Sequence, residues 1–462
     1  MSDAPTPNHD PELQAFLERF RLASPTRIDD IAESVVASSR APDARATTGL
    51  ELLVQWYDHP ISITFDPTGR CNVVCEMCDF HRVRSEKGWK LRQMPELAPE
   101  VLRARLVEQT PMRQVIFSGG GAETFVHKRW PELISAARTR AEEISVITNG
   151  TVITEKVREQ IIELQIEVIR VSLHGATAET AMGIMRGSQF EDVKANLAAL
   201  VRLRDERGVR YPRLHISFVG MKKNIDEFPD FVKLAADLGA DSVTLSSMME
   251  RDADGMEHTR GQSLVHQPER LREIWRAAQT NAIKYGISLL ANEPYKNLVE
   301  GDDDVLDDEP HSSVAPGETK FCLFPFEKPF VGLNGSVGLC CSSTGRNVEM
   351  GNADHSSFGV VWHGESYTAL RRAMITGENL PGFCSHCPRA PNVHPKTMEM
   401  HVALLHSRST GGTAGSLIAL RNAAHYRRYR RELAALNISP IGVKSVVKSI
   451  VYRWLGLGGR HA

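Results

Sequence analysis

Residues 61–80 read ISITFDPTGRCNVVCEMCDF. The opening ISITFD is rich in β-branched and aromatic residues and stops at Pro67, which predicts a short buried strand. The loop that follows carries Cys71, Cys75 and Cys78 at CxxxCxxC spacing. Three thiols that close together can converge on one soft metal centre. The number matters, because structural zinc takes four protein ligands, whereas a site one ligand short keeps a metal position open for chemistry. A four-iron cubane on three thiolates has that property. Zinc completed by His81 or by a remote residue, or three buried cysteines, would also account for the spacing.

Working outward, the same kind of strand recurs: QVIFSG at 114–119, ISVITNG at 144–150, VIRVSLHG at 168–175, LHISFVGM at 214–221, SVTLSS at 242–247 and a shorter ISLLA at 287–291. Segments of helical period fill the gaps, among them PEVLRARLVEQT, FEDVKANLAALVRLRDERG and PERLREIWRAAQTNAIKYG, the last two ending in the glycine that often follows a helix. Repeated βα units imply parallel strands under outer helices, an α/β fold of partial or complete barrel type. The active site of such a barrel lies at the C-terminal ends of its strands, where the cysteine loop falls.

The 462 residues exceed what one core usually holds, so several domains are expected. The boundaries expected are a helical cap at 1–57, the barrel at 58–299, a solvated acidic linker at 300–317, a cysteine-containing region at 318–400 and a basic helical tail at 401–462. A net charge of -2 gives no global attraction for nucleic acid or anionic lipid. No signal peptide or uncharged spanning run is visible, and the cysteines are clustered rather than set at disulfide intervals, so a reducing, cytoplasmic setting is expected.

CNVVCEMC directly after a first strand resembles the signature of the radical SAM superfamily, whose fold is a partial (β/α)6 TIM-like barrel. The resemblance covers about residues 60–290. It implies that Cys71, Cys75 and Cys78 hold a [4Fe–4S] cluster whose fourth iron is chelated by S-adenosylmethionine (SAM), and that electron transfer yields a 5'-deoxyadenosyl radical. Met77 takes the position whose backbone lies against the adenine. The stretch Ser118, Gly119, Gly120, Gly121, Ala122, Glu123 resembles the family's Gly-Gly-Glu motif for the SAM amino group, with Gly121 and Ala122 set before the acid. Asn149 of ITNG, Ser172 of VSLHG and Arg186 stand at further landmarks, Ser172 toward the ribose or carboxylate and Arg186 toward the carboxylate. Taken alone, glycines at a strand-to-helix turn and a serine at a strand end are ordinary, and His174 is read as structural rather than as a base.

Downstream, Cys322, Cys340, Cys341, Cys384 and Cys387 supply more thiols than one tetrahedral site needs. Zinc and a fully ligated [4Fe–4S] cluster both accept four of them. Cys322, Gly335 and Cys340 resemble the opening of the SPASM and twitch auxiliary-cluster domains, and Cys384 and Cys387 then supply the second pair. A single-cluster, twitch-like domain is the expected form, giving two [4Fe–4S] clusters per chain. Cys341 is left over, as a buried small residue or a hydrogen donor to a substrate radical.

The expected activity is hydrogen abstraction from a small polar metabolite, a sugar or aminocyclitol, by dehydrogenation, dehydration or epimerisation. Radical modification of a peptide or protein is the alternative, and a non-catalytic iron–sulfur carrier or sensor is a second one. The partners expected are a small-molecule substrate and a reductant such as flavodoxin or ferredoxin, with no nucleic acid. The tail, with Arg427, Arg428, Arg430 and Arg431 ahead of VKSVVKSIVYRWLGL, offers a peripheral membrane or protein contact.

Overall fold

The computed structural model describes residues 60, 62–78, 94–106, 112–118, 122–248, 259, 261–292, 294–300, 319–322, 324–340, 348–377, 379–387, 390 and 392–393. The helical cap, the acidic linker, Gly119 to Gly121, Cys341 and the basic tail lie outside these residues. The chain divides into two compact units, one of residues 59–308 with 328–362 and the other of 1–58, 309–327 and 363–462.

In the larger unit the order is β1 Ser62–Phe65, β2 Val74–Cys75, α1 Pro99–Leu106, β3 Met112–Phe117, α2 Trp130–Arg138, β4 Ala141–Thr148, α3 Glu155–Glu163, β5 Val168–Ser172, α4 Ala178–Ile184, β6 Met185–Arg186, α5 Phe190–Glu206 and β7 Arg213–Gly220. It continues with α6 Phe228–Asp237, β8 Ser242–Ser247, α7 Pro268–Tyr285, β9 Ser288–Ala291 and α8 Tyr295–Glu300. After residue 328 come β11 Phe330–Val331, β12 Ser336–Gly338, β13 Glu349–Asn352 and α10 Phe358–Trp362. One sheet runs β13-β12-β11-β1-β3-β4-β5-β7-β8-β9, and every pair from β11 through β9 is parallel. The expected α/β partial barrel is thus present.

Its two faces differ in chemistry. Val115, Phe117, Ile144, Val146, Ile216 and Phe218 alternate onto one face and are buried there. Phe218 meets Phe228 and Phe231 of α6 with ring centroids 5.2 and 4.7 Å apart, which identifies that face as the one under the helices. The intervening positions, Gln114, Ser145, Arg170, Ser172, His215 and Ser217, form the inner face. Sequential parallel registers such as Arg170↔His215 and Ser172↔Ser217 set them side by side. These strands therefore read as near-continuous apolar runs outside and as polar ladders inside.

The hairpin β11–β12 extends the sheet beyond β1, and α1 anchors it. Arg105 of α1 is buried, donates from Nε and Nη2 to both carboxylate oxygens of Asp354 at 2.7 Å, and gives its remaining donors to the carbonyls of Gly332 and Leu333 at 3.0 Å. The smaller unit contains β10 Thr319–Lys320, α9 Phe324–Glu327, α11 Glu365–Thr376, α12 Gly382–Ser385 and β14 Asn392–Val393, with β10 and β14 antiparallel.

Candidate active site

The cysteine loop leaves β1 and is pinned at three points. Cys75 and Val74 pair antiparallel with Met185 and Arg186, and the Glu76 amide donates to the Ile184 carbonyl at 2.9 Å. The Glu76 carboxylate takes an ion pair from Lys223 at 2.8 Å. Underneath, Val73, Ile184, Met185, Met221 and Met248 form an apolar floor against which Cys71, Cys75 and Met77 pack. This short β2–β6 bridge has too few residues to show in sequence, yet it carries Arg186 to the cysteine loop from more than a hundred positions away.

Burial pushes the Cys71 thiol up to about 11, helped by the negative charges of Glu123 and Cys78 and opposed by hydrogen bonds from Val73 and Asn149. Burial likewise pushes Cys75 up, and Cys78, Cys71 and Glu123 add to it. No arginine or lysine contributes to either shift. Three mutually repelling thiols in a half-buried loop are costly to ionise by themselves, and a cationic iron centre reverses that cost. The donor set accordingly fits a cluster.

Asn149, at the end of β4, joins the loop to the next strand. Its Nδ2 donates to Asn72 Oδ1 at 2.9 Å and approaches Cys71 Sγ at 3.8 Å, while its Oδ1 accepts from the Thr151 amide and hydroxyl at 3.0 and 2.6 Å. Asn72 donates in turn to Thr151 Oγ1 at 2.7 Å. Asn72 and Thr151 carried no motif in the sequence. Glu123, expected at the SAM amino group, is 1% exposed. Its Oε1 accepts from the Phe125 amide and the Thr148 hydroxyl at 3.1 and 2.8 Å, and its Oε2 from the Asn149 amide at 2.6 Å. Burial outweighs these donors and raises its pKa to about 7. Such a carboxylate braces the end of β4 beneath Asn149.

Ser118 follows β3 and its amide donates to the Phe65 carbonyl at 3.1 Å. Ser172 ends β5 on the inner face, and Arg186 is exposed beside the loop. His174 is buried, its Nδ1 accepting from the Val219 amide at 3.1 Å, and burial lowers its pKa to about 4. The reading of His174 as structural agrees with that environment.

Of the downstream cysteines, Cys340 belongs to the larger unit, following β12. Cys322, Cys384 and Cys387 belong to the smaller one. There α12 carries Cys384 and packs on β10, next to Cys322. The Cys387 amide donates to the Cys384 carbonyl at 3.1 Å, forming a tight CxxC turn. None of the seven described cysteines forms a disulfide. Among the described residues, no helix is long and apolar enough to cross a membrane.

A family model described as the radical SAM superfamily matches residues 65–235, and one described as an iron–sulfur cluster-binding domain, SPASM, matches residues 322–388. The chain is 24% identical over 330 residues to the tungsten-containing aldehyde ferredoxin oxidoreductase cofactor-modifying protein of Pyrococcus furiosus, covering 69% of this chain and 85% of that protein. It is 26% identical over 194 residues to the PqqA peptide cyclase of Granulibacter bethesdensis and 27% over 183 residues to the mycofactocin maturase MftC of Mycolicibacterium smegmatis. Those two alignments cover 41% and 40% of this chain and 47% and 43% of the relatives, so the chain spans under half of either. In fold it is similar to SuiB of Streptococcus suis bound to precursor peptide SuiA, with a TM-score of 0.53, 13% identity and 70% of each chain covered.

These relatives correct the expected substrate. The cyclase is named for a peptide, and none of these names specifies the sugar or aminocyclitol that the sequence reading favoured, so the small-metabolite substrate and partner do not stand. The matches to the two domain models, by contrast, agree with the spacing of the cysteines. This chain belongs to the radical SAM superfamily: it is a radical SAM enzyme with a SPASM-type iron–sulfur domain, and its cofactors are [4Fe–4S] clusters and S-adenosylmethionine.

Proposed function

We propose that this enzyme modifies a peptide or protein by hydrogen abstraction. The observation that carries the reading is the order of its parts, a three-thiol loop at the mouth of a barrel followed by a four-thiol auxiliary region, in a chain related to a peptide cyclase. When bound, the cluster and SAM supply a 5'-deoxyadenosyl radical. The chain's own residues position it: Cys71, Cys75 and Cys78 hold the first cluster over the apolar floor, and Asn149 donates toward Cys71. Met77, Ser118, Ser172 and Arg186 serve the SAM site, with Glu123 bracing it from behind, and the sequence motif assigns Gly119, Gly120 and Gly121 to the same site. Cys322, Cys340, Cys384 and Cys387 hold the auxiliary cluster, and four thiolates leave it saturated, which suits electron transfer rather than substrate ligation. A flavodoxin or ferredoxin donates the electron. Clustered cysteines outside a disulfide framework suit a reducing setting such as the cytoplasm.

Anaerobic reconstitution tests this reading. The chain should bind about eight irons, and the variant Cys71→Ala/Cys75→Ala/Cys78→Ala about four, with 5'-deoxyadenosine formation abolished. Short peptides encoded beside the gene, incubated with SAM and dithionite, should change in mass by loss of hydrogen or of a small fragment. Turnover of a sugar with every such peptide unchanged would overturn the reading.

A further inference from the structure

The inner face of the barrel carries its own pattern of charge. Within its strands the groups charged at neutral pH are Glu143 on β4, Arg170 on β5 and Arg213 on β7. Glu143 is committed: one carboxylate oxygen accepts from Arg213 Nη2 at 2.8 Å and the other from the Gln114 amide. Arg170 is left over. Its Nε donates to Ser145 Oγ at 3.0 Å, and its two Nη groups have no protein partner among the described residues. His215, beside it in register on β7, does not offset the charge, because burial and the two neighbouring arginines push its pKa down to about 4 and leave it neutral. Asp241, at the foot of β8, is taken by the Leu214 amide at 2.7 Å and by Arg204 at 3.6 Å.

Two guanidinium groups against one carboxylate leave one positive charge facing the lumen. Burying a guanidinium that has no anion of its own is unfavourable: burial lowers the pKa of Arg170, and Glu143, already paired to Arg213, offsets this only in part. On a face where Arg170 stands beside Ile147, Ser145 and His215, this leaves a bidentate donor for something that is not in the chain. Arg170 precedes Ser172 by two residues, so it stands about 7 Å below the mouth of the barrel. A side chain entering from the cluster end can reach it. The anions a ribosomal peptide carries are carboxylates.

We propose that Arg170, flanked by Ser145 and His215, is the subsite that receives a carboxylate of the peptide substrate, either an aspartate or glutamate side chain or the C-terminus. This rests on the peptide reading above and sharpens it, since it selects which residue of the peptide is drawn into the lumen. Arg170 here is a specificity-determining residue and takes no part in bond making.

The test uses the reconstituted holoenzyme with SAM, footprinted anaerobically with phenylglyoxal and read by mass spectrometry at Arg170. Three probes separate the sources: N-acetylglutamate amide offers only a side-chain carboxylate, N-acetylglutamine only a terminal one, and N-acetylglutamine amide neither. Arg170 should be modified in the free enzyme and protected severalfold by one acid but not by the diamide, and the protecting acid identifies the source. Equal modification under all conditions, or no modification at all, overturns the subsite. A second measurement uses pairs of short peptides differing only in glutamate against glutamine, or free against amidated C-terminus, scored by stimulated 5'-deoxyadenosine formation. Wild type should favour the acid by about tenfold or more, and Arg170→Gln of equal iron content should lose that preference while Arg170→Lys keeps part of it. Equal preference in wild type and Arg170→Gln overturns the subsite. Failure of all peptides to stimulate wild type overturns the peptide reading instead, and the footprint still decides on Arg170.

Discussion

His174 follows β5 by two residues, with its Nδ1 spent on the Val219 amide and its own carbonyl accepting from Asn224 Nδ2 at 2.9 Å. This geometry requires neutral imidazole. Its pKa falls from 6.5 to about 4 on folding, so the unfolded chain binds the extra proton between those values. The contribution is therefore complete above about pH 6.5 and is lost as pH falls toward 4, on the order of 3 kcal/mol in all. Urea unfolding at pH 7.5 and pH 5 should show a loss on acidification that His174→Gln reduces. At this scale the sequence was uneven in what it disclosed. The three cysteines were legible because their spacing is local. Asn72, Thr151 and Arg170 were not, because their importance comes from partners on other strands, and a lone polar residue in a strand carries no mark of the face it occupies.

At the scale of elements, the hairpin β11–β12 depends on Arg105. Arg105→Ala would strand the carbonyls of Gly332 and Leu333 and leave Asp354 without its partner. Asp354 is 38% exposed, so water recovers part of the loss, and a cost of about 2–3 kcal/mol is expected. Arg105→Lys should restore less than half, since an ammonium cannot serve both carboxylate oxygens and two carbonyls in that geometry. Thermal unfolding of the three proteins checks both statements. Gly335, marked in the sequence only by its place in the cysteine pattern, lies at φ +77°, and a Cβ there would stand 2.5 Å from Asp354 Cγ. Gly335→Ala should therefore destabilise the same hairpin by about 1–3 kcal/mol. The long parallel strands were readable from apolar, β-branched runs. β11 and β12 were not, being two and three residues long and paired to a strand more than 260 positions earlier.

Over the whole molecule, the chain crosses between its two units at 58–59, 308–309, 327–328 and 362–363, so neither unit is a single continuous stretch. Composition and motif spacing mark segments, and segments need not coincide with compact bodies when later strands return to an earlier sheet. A fragment of residues 59–308 would lose β11 and open the edge of β1, whereas residues 59–362 retain it. The shorter fragment should aggregate where the longer stays monomeric, as size-exclusion chromatography would show, because an unpaired strand edge is a template for another chain.

The opposite directions of β11 and β12 also sort the thiols. β11 runs with β1, and β12 runs against them, so the register Thr64, Phe330, Gly338 sends the next residues toward the foot of β1. Cys340 leaves there, while Cys71 leaves from the head. The sheet thus gives the larger unit two poles, each with its own sulfur. Within this unit the thiols of the Cys71 loop and the thiol of Cys340 therefore stand at opposite ends of β1.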